Sequence, residues 1–189
     1  MKKTKMDIVR KGKFDSAHTI VEHVGGCGSL HGHTYHYKLC FSFTPDLMED
    51  PELGYSMDFS EIKRIAGQFI DDYFDHGYVS NPTDYLLPTL QTHANNKIWI
   101  MSLNGEGVSC NPSAENMAKE LFLAIDLLFL DRGITLKKII LYETESCYVK
   151  CKVSSITLDE LENFNNTKKE MIERYRFAKG IKSYNKNKQ

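Results

Sequence analysis

The run MDIVRKGKFDSAHTIVEHVGGCGSLHGHTYHYKLCFSFT occupies residues 6–44 and holds the clearest local pattern in the chain. Its first part, residues 6–20, is short of helix formers and reads as a strand. Its last part, residues 34–44, alternates and is rich in aromatics, as a half-buried strand should be. Between them Gly25, Gly26 and Gly28 mark a loop. Outward from this pair, residues 58–73 place Phe59, Ile62, Ile65, Phe69 and Ile70 at helical spacing, with Asp58 or Ser60 able to cap. A second helix is expected over 113–130, capped by Ser113, with Glu115 in its first turn and a long apolar stripe after it. Residues 134–143 and 146–153 read as two more strands, and residues 158–178 as a third, well-charged helix.

The order is therefore strand pair, helix, helix, strand pair. No strand–helix–strand unit has the spacing of a doubly wound sheet, and alternating strands suit a sheet buried on one face. The pattern predicts an α+β fold, an antiparallel sheet with helices packed on one side. One domain over residues 1–178 and a polar tail over 179–189 are expected. Residues 80–111 fit less well: they show little helical periodicity and hold one apolar run, KIWIMSL (97–103), that could add a short strand. A connection of this length usually has a use of its own. There is no internal repeat.

Composition narrows the function. The chain is 41% hydrophobic and 26% charged, as a globular protein is, and its net charge is −1. That balance lacks the basic excess with which nucleic-acid binders neutralise phosphates. No segment reaches the roughly 20 apolar residues needed to cross a bilayer. The basic residues at the start lead into no apolar run, so a secretory signal is not expected. The cysteines number five, an odd count, with none in a tight CxxC pair. Free thiols in a reducing cytoplasm are the simplest expectation.

His31-Gly32-His33 is the sharpest local feature. Alternate residues of a strand share a face, so both imidazoles can converge on one ion. Gly32 between them removes a side chain where backbone crowds the site. His18 lies near the end of the preceding strand, and hairpin-like pairing would bring it alongside. Three neutral imidazoles without a fourth protein ligand form a recurrent catalytic zinc arrangement, because a position stays open for water or substrate. His36 has the opposite parity and should face away. His23 and His93 lack such company and read as ordinary surface or packing residues.

Cys27 sits four residues before His31 in a glycine-rich loop. A nearby cation favours its thiolate, which could serve as a base near neutral pH. It could instead be a fourth ligand, which would close the site and make it structural. Asp75 and His76 follow the first long helix, although adjacent side chains usually diverge. Glu115 and Glu143 have ordinary readings as a helix-dipole partner and a strand-end acid. Cys147 and Cys151 share a strand face too far apart to chelate one ion, and read as packing residues.

Six segments then combine: residues 14–18 (FDSAH), 27–33 (CGSLHGH), 57–59 (MDF), 75–76 (DH), 112–116 (PSAEN) and 142–144 (YET). In this order they resemble the 6-pyruvoyltetrahydropterin synthase superfamily, and within it most the 6-carboxytetrahydropterin synthases of the queuosine and 7-deazaguanine pathway. The resemblance covers most of residues 5–80 and 111–155. It implies a tunnelling fold assembled into rings, commonly a dimer of trimers. It implies zinc held by His18, His31 and His33, Cys27 as the catalytic thiol, and Asp75 with His76 completing a proton relay. It implies Glu143 as the acid that anchors the pterin, with Glu115 as a second contact.

The reaction so implied converts 7,8-dihydroneopterin triphosphate to 6-carboxy-5,6,7,8-tetrahydropterin, acetaldehyde and triphosphate. Three residues separate Cys27 from His31, a spacing that resembles the queuosine-pathway enzymes; the 6-pyruvoyl enzymes carry a longer stretch. Elimination of triphosphate without side-chain cleavage, as in a 6-pyruvoyltetrahydropterin synthase, is the alternative. A non-catalytic, zinc-stabilised binding module is the alternative of another class. The chain departs from the shorter family members in three places. It inserts residues 82–110, adds a helix and tail after about residue 154, and replaces the usual Leu-Asn after Asp-His with residues 77–80.

Overall fold

The computed structural model describes residues 6–43, 56–93 and 97–182. Thr44 of the expected second strand and residues 183–189 of the expected tail lie outside the described residues.

Strand β1 (Met6–His18) pairs antiparallel with β2 (His31–Phe43) along its whole length, from Met6 opposite Phe43 to His18 opposite His31. The pleat sorts their side chains as the alternation demands. Phe14, Tyr35, Tyr37, Leu39 and Phe41 are buried on one face, while Lys11, Lys13 and His36 are exposed on the other. Strand β2 begins earlier than expected and takes in His31 and His33, because the paired register carries the sheet up to the glycine loop. On its far side β2 pairs with β5 (Thr135–Tyr142), and β5 with β6 (Tyr148–Cys151), both antiparallel. Leu136 and Ile139 are three residues apart yet both buried. A register shift opposite Cys40 and Phe41 absorbs the extra residue and keeps both on the core face.

The other edge of the sheet departs from the antiparallel expectation. A short β3 (Gly77–Ser80) runs parallel to β1, and β4 (Ile98–Ile100), within the apolar run of residues 97–103, runs parallel to β3. The sheet is therefore mixed, in the order β4-β3-β1-β2-β5-β6. What places β3 is a left-handed turn at His76, with φ of 55°, and the bond from the His76 N–H to the Asp15 carbonyl at 2.7 Å.

Among the described residues the long helices pack on the buried face of the sheet. The first helical stretch comprises α1 (Phe59–Ile62), a π-helical turn over Lys63–Gly67 and α2 (Gln68–Tyr73). Asp58 caps it, accepting the Ser60 N–H at 2.7 Å. Ile62, Ile65, Phe69 and Ile70 are buried as the spacing predicts, but Phe59 is exposed, since it falls in the first turn before the helix meets the sheet. Helix α4 (Ala114–Leu128) is capped by Ser113 and lies against β5 and β6. Helix α5 (Leu158–Ala178), started by a Thr157–Glu160 capping box, packs Phe164, Ile172 and Tyr175 inward against this layer.

The inserted segment is built into the core. It holds a short α3 (Leu87–Gln91) as well as β4, and it buries Trp99, Met101 and Leu103. Glu120 of α4, fully buried, accepts from Trp99 Nε1 at 3.2 Å, from the Ser102 N–H at 2.6 Å and from Ser102 Oγ at 2.9 Å. Burial pushes its carboxyl above the usual range, against those three bonds and the charge of Lys168. Glu120→Ala is expected to cost about 3 kcal/mol, because it leaves buried donors without an acceptor. Urea denaturation should show a lower midpoint at unchanged slope; an unmoved midpoint would refute the role.

Candidate metal centre and its cavity

The hairpin register builds the centre directly. His18 lies opposite His31 and Ser16 opposite His33, so the three imidazoles meet at the end of the core face. Their ring centroids are 4.5, 5.0 and 5.4 Å apart, and one ligand nitrogen from each lies within 4.8 Å of the others. Gly32 serves the close approach of β1: a Cβ there would stand 3.0 Å from the Ser16 carbonyl oxygen.

Two imidazoles are oriented from behind. His18 Nδ1 donates to the Pro112 carbonyl and His31 Nδ1 to the Ser29 carbonyl, both at 2.8 Å. A carbonyl can only accept, so in the neutral ring each proton sits on Nδ1 and leaves the Nε2 lone pair free for an ion. This is the outer support that metal-binding histidines commonly carry. Burial lowers the pKa of His18 and keeps it in the neutral form a ligand needs. The residues present therefore fit a metal ion. Tyr35 closes the floor. Its hydroxyl is 3.4 Å from His18 Nε2, and burial, then the nearby Glu143 carboxylate, holds its phenol well above the ordinary range.

Glu143 follows β5 and points back at this centre, with Oε1 4.0 Å from His33 Nε2. It shares a cavity of about 340 Å³ with His18, Cys27, Ser113, Glu115 and Cys147. Cys27 is exposed on a short 3₁₀ turn and does not belong to the group of clustered ligand atoms. Gly28 is required in its loop, since a Cβ there would come within 2.3 Å of the His23 carbonyl oxygen. Glu115 is exposed in the first turn of α4 and lines the same cavity.

Asp75 and His76 stand elsewhere. They do meet, His76 Nδ1 to Asp75 Oδ2 at 2.7 Å, because the left-handed backbone at His76 turns its ring back over its neighbour. Asp75 Oδ1 also accepts the Asp15 N–H at 2.9 Å. Burial pushes the Asp75 carboxyl up, but these bonds outweigh it and hold the group below its usual range. His76 opens with His33 and Asp15 onto a separate cavity of about 510 Å³, not onto the cavity that holds Cys27.

One expectation changes. Cys151 is buried as a packing residue, but Cys147 is exposed and lines the Cys27 cavity, because the turn after Glu143 lifts it off the end of β6. His23 is exposed, as a surface residue should be, and borders that cavity as well. Tyr35 was open to discovery from its parity, which it shares with His31 and His33.

Comparison with known proteins agrees with this architecture. The profile of the 6-pyruvoyl tetrahydropterin synthase family matches residues 7–154. A 6-carboxy-5,6,7,8-tetrahydropterin synthase of Rickettsia typhi is 33% identical over 143 residues, covering 75% of this chain and 96% of the relative. One of Haemophilus influenzae is 30% identical over 145 residues, covering 75% and 94%. Among solved structures, an uncharacterized protein of Wolinella succinogenes superposes with a TM-score of 0.61 at 15% identity, over 79% of this chain and 99% of that one. The 6-pyruvoyl tetrahydropterin synthase of Caenorhabditis elegans does so with a TM-score of 0.56 at 18% identity, over 80% and 98%. At these identities the superpositions speak for the fold.

Proposed function

We propose that this chain, which belongs to the 6-pyruvoyl tetrahydropterin synthase family, is a zinc-dependent 6-carboxytetrahydropterin synthase. The substrate would be 7,8-dihydroneopterin triphosphate, and the products 6-carboxy-5,6,7,8-tetrahydropterin, acetaldehyde and triphosphate. The observation that carries the reading is the three-imidazole cluster, two of its rings fixed through Nδ1, which reaches through His18 a cavity with a carboxylate and a thiol. The similar relatives that carry the 6-carboxy name favour this product over the 6-pyruvoyl one.

His18, His31 and His33 would hold the ion with a position left open. Bound there, it supplies Lewis acidity to the oxygens of the substrate side chain. The other residues bind and move protons. Glu143, ionised, accepts two parallel hydrogen bonds from the amino–amide edge of the pterin, and Glu115 gives a second contact. Cys27, as thiolate, takes a proton from the substrate side chain. His76, held by Asp75, returns one. Cys27 and His76 line different cavities, the first reaching the imidazole cluster at His18 and the second at His33, so the relay would pass from one side of the cluster to the other, within one chain or across a ring assembly.

Incubation with dihydroneopterin triphosphate, with trapping of aldehyde, tests the reading. Acetaldehyde and the 6-carboxy product support it; 6-pyruvoyltetrahydropterin as the main product, without aldehyde, would replace it with triphosphate elimination alone. Glu143→Gln is expected to raise KM while bound zinc stays constant. The amide keeps the size but sets a donor against a donor, and losing a charge-assisted bond costs about 1.5–3 kcal/mol, roughly 10- to 100-fold in binding. An unchanged KM would move the anchor to Glu115.

A further inference from the structure

Asn81 and Asn111 flank the inserted segment and close it at its neck. Asn81 Nδ2 donates to Asn111 Oδ1 at 2.8 Å and to Ser109 Oγ at 3.0 Å, while Asn81 Oδ1 accepts the N–H groups of Thr83 and Cys110 at 3.0 and 3.2 Å. Asn111 applies the rest of its side-chain amide to a distant segment. The Val21 N–H donates to Asn111 Oδ1 at 2.8 Å, and Asn111 Nδ2 donates to the Val21 carbonyl at 3.0 Å. One side chain thus satisfies both backbone groups of one residue, as a neighbouring strand would. The clamp is itself anchored: Asn116 Nδ2, in the first turn of α4, donates to the Asn111 carbonyl at 3.0 Å.

Val21 begins the loop that carries Cys27. From Val21 the hold passes to the thiol's own peptide, since the adjacent Ile20 N–H donates to the Cys27 carbonyl at 2.8 Å. Two residues before Val21, Thr19 Oγ1 donates to Asp84 of the insertion, which also accepts from Tyr78 Oη at 2.5 Å. Beyond these grips the loop is held by short-range bonds of its own, such as the His23 N–H to the Ile20 carbonyl at 3.1 Å and the Gly28 N–H to the Gly25 carbonyl at 3.0 Å. Gly25, Gly26 and Gly28 surround Cys27, and Val24, Gly25, Gly26 and Cys27 are all exposed. A loop so rich in glycine loses order readily once its anchors go.

We propose that Asn111 is a positioning residue for Cys27, and that through Asn81 it makes the neck of the insertion the mount for the catalytic loop. This rests on the reading of Cys27 as a base, and the test separates the two. In Asn111→Ala, hydrogen exchange on the full chain should show the hydrogen-bonded amides within residues 20–28, those of Ile20, Val21, His23 and Gly28, exchanging roughly tenfold faster or more, with those of β1 unchanged. Turnover should fall in kcat by between about 10- and 100-fold, the cost of a small misplacement of a reacting group, while KM holds because Glu143 sits on another element. Asn111→Asp keeps the acceptor for the Val21 N–H and removes the donor. It sets a carboxylate oxygen against the Val21 carbonyl, so it should also speed exchange of these amides, and it serves where the alanine chain does not fold. Unchanged exchange over residues 20–28 would overturn the clamp. Faster exchange with an unchanged kcat would overturn its positioning role. Full turnover in Cys27→Ala would overturn the underlying reading instead, and the exchange data identify that case because they still respond to Asn111.

Discussion

A chain carrying His33→Ala is expected to lose most of its bound zinc, and turnover of the pterin with it. Among the described residues the cluster has three imidazoles and no fourth ligand atom, so each would supply a third of the protein's coordination. Two ligands cannot hold the ion against water as three do, and the loss should exceed the roughly 10- to 100-fold in affinity that removal of an outer-shell partner costs. The same change at His18 or His31 should act alike. His18 adds a second penalty, since its alanine variant leaves the Pro112 carbonyl without its donor. Metal analysis of dialysed variants checks the expectation; zinc at wild-type stoichiometry in all three would refute the assignment. Acid should unload the wild-type centre as well, because protons compete for each ligand nitrogen. The lowered pKa of His18 means that its neutral form survives below the ordinary histidine value of 6.5.

Most of the sheet was legible because its information is local and periodic. Parity along residues 31–39 places His31, His33, Tyr35, Tyr37 and Leu39 on one face and His36 on the other, and the structure follows it residue by residue. Helix α5 runs from Leu158 to Ala178 as expected, since Thr157 and Glu160 form the box that starts it. Strand β3 was not legible. Its four residues, Gly77–Ser80, are too few to show alternation, and its partner is β1, some sixty residues away in sequence. Parallel pairing of this kind is set by tertiary contact and by the turn at His76, neither of which leaves a periodic trace. The same holds for the π-helical turn at Lys63–Gly67, which shifts the helical phase without a proline or glycine pair to announce it.

The site divides along the same line. The register that brings His18 opposite His31 follows from two strands and a loop, so the cluster could be reasoned out from spacing. The meeting of Asp75 with His76 could not. Adjacent side chains diverge in helix and strand alike, and only the positive φ at His76 reverses that. Cys147 misled for a related reason: strand parity extended one residue past β6 into a turn, where it no longer governs exposure. The inserted segment could be located by its poor fit to any periodicity. Its use, bonding Asp84 and, at its neck, Asn111 to the root of the Cys27 loop, depends on contacts between residues 65 and 90 positions apart.

Cys27→Ala is the expected counterpart to the histidine variants, with zinc retained and chemistry lost. Cys27 lies in the cavity with Glu143 and Glu115 but outside the cluster of ligand nitrogens. On the proposed reading it would act as a base, and acid–base catalysis of this sort contributes about 10²- to 10⁴-fold. A drop of that size in kcat, with normal metal content and a normal KM, is the expected result. Turnover near the wild-type rate would end the thiol's role, and loss of zinc would move Cys27 into the coordination shell and favour a closed, structural site. The relay adds a sharper consequence. If the thiol of one subunit works with the Asp75–His76 pair of another, Cys27→Ala and His76→Ala chains should each be nearly inactive alone. Unfolded together and reassembled, they should regain a measurable part of the activity, because some interfaces then pair an intact thiol with an intact histidine. No recovery in well-formed mixed oligomers would confine the relay to a single chain.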